Sequence, residues 1–166
     1  MKLLFISAVV VSLLFAFSQE ITAGQKKISI TGKTTIDSKI NEQRIRIIIV
    51  TYTVNSAACG NVLSKTLYTK GEKLIAISSL RIIVNNKSLY IPWSVYADAL
   101  NPREMTISLQ DGFFVLSIES GDGVESDIMR IFFDKEKIIR RVVYSALIPD
   151  LPGEETRYWI RDVEDE

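Results

Sequence analysis

Gln43-Arg-Ile-Arg-Ile-Ile-Ile-Val-Thr-Tyr-Thr-Val54 is β-branched or aromatic at nearly every position after Arg46. Such side chains lose rotamer freedom in a helix and pack well on a pleated surface, so the run reads as a strand. Arg44 and Arg46 alternate with Ile45 and Ile47, the period-two pattern of a strand with one face in a core. From Ile48 onward apolar residues fall on both faces. That predicts a second half buried on both sides and a central place in the sheet.

The flanking sequence repeats this pattern in shorter pieces. A short alternating opening is expected around Ile28, Ile30 and Thr31. Val62–Tyr68 and Lys73–Ile77 flank Lys70-Gly71-Glu72, a hairpin signal. Leu80–Val84 and Ser88–Ile91 flank Asn85-Asn86-Lys87, where asparagine tolerates the left-handed backbone of a tight turn. Met105, Ile107 and Leu109 alternate with polar residues up to Asp111-Gly112. Phe113–Ile118 follows, making the clearest hairpin in the chain. Asp127–Phe133 and Lys137–Ala146 flank Asp134-Lys135-Glu136, and Thr156–Ile160 is the last expected strand.

Only Trp93–Leu100 has helical spacing, with Trp93, Tyr96 and Leu100 at i, i+3 and i+7. Pro92 suits its first turn, and Pro102 biases Asn101 out of the helical region. These features predict a mainly β fold, an antiparallel β-sandwich or small barrel-like meander with one short helix near 93–100. An α+β arrangement is the alternative.

Residues 1–18 read as a secretory signal peptide. Lys2 precedes the apolar run Leu3–Phe17, and Ala16-Phe17-Ser18 has the small-residue spacing of a cleavage site after Ser18. The run is shorter than the roughly 20 residues of a membrane-spanning helix. The expectation is one exported β-rich domain over residues 25–162, periplasmic or secreted, with an acidic tail at 163–166. No stable membrane insertion is expected after cleavage.

The chain carries 20 Lys and Arg against 20 Asp and Glu, so the total gives no nucleic-acid footprint. The charge is nevertheless divided: residues 19–100 hold 11 basic and 5 acidic side chains, residues 101–166 hold 8 and 15. Self-complementary packing of the halves is the expected reason, an acidic face for a cationic partner the other. Cys59 is the single cysteine, so no intramolecular disulfide forms. Burial of that free thiol as a small hydrophobe is expected, intermolecular pairing being the alternative.

Histidine is absent. This removes Ser-His-Asp hydrolases, Cys-His proteases and His-x-x-x-His metalloproteases, while no glycine-rich phosphate loop is present. No catalytic residue and no resident cofactor are expected. Paired carboxylates, which hydrolyse glycosides without histidine, remain as a route to an envelope-polysaccharide hydrolase. The loop 119–127 places Glu119, Asp122, Glu125 and Asp127 around two glycines. It reads as a solvated hairpin loop, with calcium and a calcium-stabilised module as the alternative. Trp93, Tyr96, Tyr158 and Trp159 are the natural anchors for a partner, their competing role being core or core edge. The leading expectation is a non-enzymatic envelope protein that binds a macromolecule, either a protein or a polysaccharide.

Overall fold

The computed structural model describes residues 21–55, 73–121 and 126–159. Ten strands follow in chain order: β1 (Ile21–Lys27), β2 (Gly32–Ile40), β3 (Gln43–Asn55), β4 (Lys73–Val84) and β5 (Lys87–Ser88), then β6 (Pro102–Gln110), β7 (Phe113–Ser120), β8 (Asp127–Phe133), β9 (Ile138–Ser145) and β10 (Pro152–Arg157). They form two antiparallel sheets, one with order β2-β3-β4-β5 and one with order β1-β6-β7-β8-β9-β10. The fold is mainly β and sandwich-like, and the sheets do not close into a barrel.

Alternation builds the sandwich. Ile45, Ile47 and Ile49 of β3 point inward with Leu80 and Ile82 of β4, against Ile107, Leu116, Ile118, Ile131 and Phe133 of the other sheet. These side chains form one continuous buried cluster. Tight turns with positive φ at both central residues set the register: Asn41-Glu42, Asn85-Asn86 and Asp111-Gly112. That geometry matches the right-handed twist of paired strands. The hairpins expected at Asn85-Asn86 and Asp111-Gly112 are therefore present. Asp134 shapes the β8–β9 turn by accepting from the backbone N–H groups of Glu136 and Lys137, at 2.7 and 2.8 Å.

A smaller apolar cluster, Val115, Phe132 and Val142, lies on the opposite face of the six-stranded sheet. The Arg140 guanidinium lies 4.1 Å from the Phe132 ring centroid, and Arg130 lies 5.0 Å from that of Tyr144. The long stems and cationic heads of these arginines cover a face the sequence leaves apolar.

Several expectations are corrected. The helix over 93–100 is a single 3₁₀ turn, Trp93–Val95, closed by the Tyr96 N–H on the Trp93 carbonyl. It has no side-chain N-cap, and Leu100 is held in an antiparallel bridge to Ala76. Tertiary pairing thus takes the residues that a second helical turn would need. The opening strand lies earlier than expected, at Ile21–Lys27. Ile28 then turns into the core while Ile30 faces solvent. Residues 73–84 form one strand rather than two, with a register shift at its middle that absorbs Ser78. The strand expected at Ser88–Ile91 shrinks to β5, and the last strand lies at Pro152–Arg157. β3 is central, as its composition demands, but its second half is not buried on both sides: Ile48 and Val50 are half-buried and Tyr52 is 47% exposed. Val62–Tyr68, Lys70–Glu72 and Cys59 lie outside the described residues.

The divided charge also finds a structural form. The four-stranded sheet comes wholly from the basic half of the chain, and most of the six-stranded sheet from the acidic half. The sheets meet through apolar side chains, so most charges face outward and do not neutralise one another across the interface.

Candidate functional site

The 3₁₀ turn is fastened from below. Val95, Tyr96 and Ala99 are buried in the main cluster, which leaves Trp93 and Ser94 facing outward. Tyr96, a sequence-predicted contact residue, is therefore a core residue. On the neighbouring edge β10 pairs with β9, and the Tyr158 N–H continues that pairing by donating to the Ile139 carbonyl at 3.0 Å. The Tyr158 side chain packs against the core, and Trp159 turns out to 84% exposure. Trp93 is 70% exposed.

The segments that carry them come together at Arg141, which bonds Asp98 after the 3₁₀ turn and Glu154 of β10, and the seam lies between these segments. The Tyr158 hydroxyl is enclosed and has no hydrogen-bond partner among the described residues. Burial pushes the phenol pKa up. Ser94 and then the Arg141 cation pull it down, and Asp98 and Glu154 push it up. Trp93 and Trp159 are the sequence neighbours of Ser94 and Tyr158. Exposed tryptophan is a strong contact anchor because it offers large apolar area at small entropic cost.

Beside Tyr158 lies a network that composition and spacing did not reveal. Arg141 points inward from β9 with its side chain 6% exposed. Its Nη2 donates to Asp98 Oδ2 at 2.6 Å, its Nη1 to Glu154 Oε1 at 2.7 Å, and its Nε to the Met129 sulfur at 3.1 Å. One guanidinium therefore ties the segment after the 3₁₀ turn to β10 and β8. Both carboxylates stay about half exposed, so the network presents acceptor oxygens to solvent beside the aromatic seam.

Asp127 lies at the start of β8. Its carboxyl is held above the ordinary carboxylate range, first by lost hydration and then by the negative charge of Asp98. A raised acid pKa means that ionisation costs the folded state, so stability falls as pH rises from the unfolded pKa through the folded one. Asp127→Asn is expected to raise the melting temperature at pH 7 by about 1 °C, a few tenths of a kcal/mol for a solvent-screened group. The gain should vanish near pH 3 (roughly), where both forms are neutral. Melting curves across that range check it.

Of the predicted acidic loop, Glu119 is exposed on β7 and Asp127 is exposed at the start of β8 within the field of Asp98, while Asp122 and Glu125 lie outside the described residues. Among the described residues no group of three potential metal ligands converges. Arg140 and Arg141 face opposite sides of the sheet, as a strand requires, and among the described residues neither pairs with Glu119 or Asp127: Arg141 is the buried one, and Arg140 lies 3.7 Å from Glu155.

No family model matches the chain, and neither a curated protein nor a solved structure matches it.

Proposed function

We propose that this protein is an exported, non-enzymatic binding protein of the cell envelope that acts by macromolecular contact. The seam between the 3₁₀ turn and β10 is its contact surface. The observation that carries this reading is the exposure of Trp93 on the 3₁₀ turn and of Trp159 after β10, the two segments that Arg141 ties together. Two large exposed rings supply apolar contact, and the half-exposed carboxylates of Asp98 and Glu154 supply acceptors for hydroxyl or amide donors.

The double substitution Trp93→Ala/Trp159→Ala tests it. The variant is expected to lose at least tenfold in binding to its partner from the envelope fraction, each anchor contributing on the order of 1–2 kcal/mol. Its melting temperature should stay within about 2 °C of the parent, because neither ring is part of the core. Stoichiometric recovery of the same partner by the variant would refute this assignment.

The Asp98–Asp127 pair favours a second reading, a carboxylate-dependent hydrolase of envelope polysaccharide. Asp98 is bonded to Arg141 at 2.6 Å while Asp127 has a raised pKa, an asymmetry of environment of the kind such chemistry uses. The Asp127→Asn variant separates the two readings, since it removes hydrolysis and leaves binding through the tryptophans.

A further inference from the structure

We infer that the outer face of the four-stranded sheet docks on an anionic phospholipid surface. This goes beyond the aromatic seam and uses other residues. Strand alternation puts Lys33 and Lys39 of β2, Arg44 and Arg46 of β3 and Arg81 of β4 on that face, all exposed. Asp37 lies among them and pairs with Arg46 at 2.6 Å, and Glu42 in the β2–β3 turn pairs with Lys39 at 2.6 Å. Among the described residues, Lys33, Arg44 and Arg81 have no acidic partner, so positive charge remains unneutralised.

The arrangement suits a surface better than a chain. From the level of Arg44 to that of Val50, opposite Lys33, β3 advances six residues, or about 20 Å, and the cations span three strands at about 4.8 Å spacing. They are spread over a plane and not aligned along a cleft. Between them Ile48, Val50 and Ile83 are half-buried, and Tyr52, the next outward residue of β3, is 47% exposed beyond the Lys33 end of the array. At the hairpin end the plane dips into an open groove of about 390 Å³, lined by Lys39, Arg44, Arg46 and Asn86 with Asp37 at its side. That is room for one phosphate-bearing headgroup under three cationic side chains. A planar array with a headgroup-sized dip is complementary in charge and shape to a leaflet rich in phosphatidylglycerol.

Sedimentation of the full chain with vesicles tests this. Vesicles with phosphatidylglycerol should bind it and vesicles of phosphatidylcholine alone should bind it far less, the difference shrinking in high salt. The triple variant Lys33→Gln/Arg44→Gln/Arg81→Gln should bind the anionic vesicles about 100-fold less, roughly fivefold for each cation removed, at an unchanged melting temperature. Any contribution of Leu3–Phe17 is common to both proteins and cancels in that comparison. The Trp93→Ala/Trp159→Ala variant should bind vesicles as the parent does. Equal binding by the triple variant, equal binding to neutral vesicles, or preference for a soluble polyanion such as heparin over the vesicles would each overturn the inference.

Discussion

Replacing Asp98 by Asn and Glu154 by Gln together is expected to destabilise the fold by about 3–5 kcal/mol, more than replacing Arg141 by Met. The amides keep oxygen acceptors near the guanidinium and remove only the charge. Arg141, with its side chain 6% exposed, would then be a buried cation with no counter-ion. Arg141→Met has the opposite consequence. It leaves Asp98 and Glu154, each about half exposed, free to be hydrated, and places an apolar chain beside Met129. Its cost is expected at about 1–2 kcal/mol, chiefly lost hydrogen bonds. Combining all three substitutions removes the stranded cation and should recover most of the double variant's loss. These groups are in direct contact, so their effects cannot add. Urea unfolding of the three proteins checks the order. If the triple variant is less stable than the double, the guanidinium acts by shape and not by charge.

This network also marks where sequence reading stops. That adjacent Arg140 and Arg141 point to opposite faces follows from strand geometry. Which one is buried depends on Asp98, 43 residues away and reached only after the 3₁₀ turn has folded back over the sheet. The strands were legible by alternation where one face packs in the main core and the other is polar, as in Arg44–Ile47 and Met105–Leu109; Phe113–Leu116 is apolar on both faces because Val115 joins the smaller cluster. β1 was not legible, since all its residues but one are exposed and an edge strand with two wet faces carries no alternation.

The helix expected over 93–100 is cut to one 3₁₀ turn for a related reason. Val95, Tyr96 and Ala99 are buried because the segment crosses the end of the core, and apolar residues at such spacing fit a wrapped connection as well as a helix. The candidate site was half legible. Trp93 and Trp159 can be named from the sequence as candidate anchors, but their exposure, and the Arg141 bonds that bring their segments together, are purely tertiary. The unneutralised cations of the four-stranded sheet were visible only as a charge imbalance along the chain. Their gathering on one face required the register of β2, β3 and β4.

Phe132 and Phe133 put the two-faced character of the six-stranded sheet to a direct test. Both are almost fully buried, and neighbouring residues of a strand are expected on opposite faces, so Phe133 joins the main cluster and Phe132 the smaller one. The Phe133 ring lies 5.6 Å from that of Phe114, among groups held by both sheets. Phe133→Ala leaves a cavity there that no single side chain can fill, and about 4 kcal/mol is the expected cost. Over a domain of this size that lowers the melting temperature by about 10–15 °C. Phe132 lies instead under the Arg140 guanidinium, at 4.1 Å, and that long side chain can settle into the vacated space or admit water. Phe132→Ala is therefore expected to cost about 2 kcal/mol, part of it the lost cation–π contact. Thermal unfolding of the two variants side by side measures the difference. Equal losses would mean that the outer face of this sheet is as tightly enclosed as the space between the sheets, and that Arg140 is fixed there.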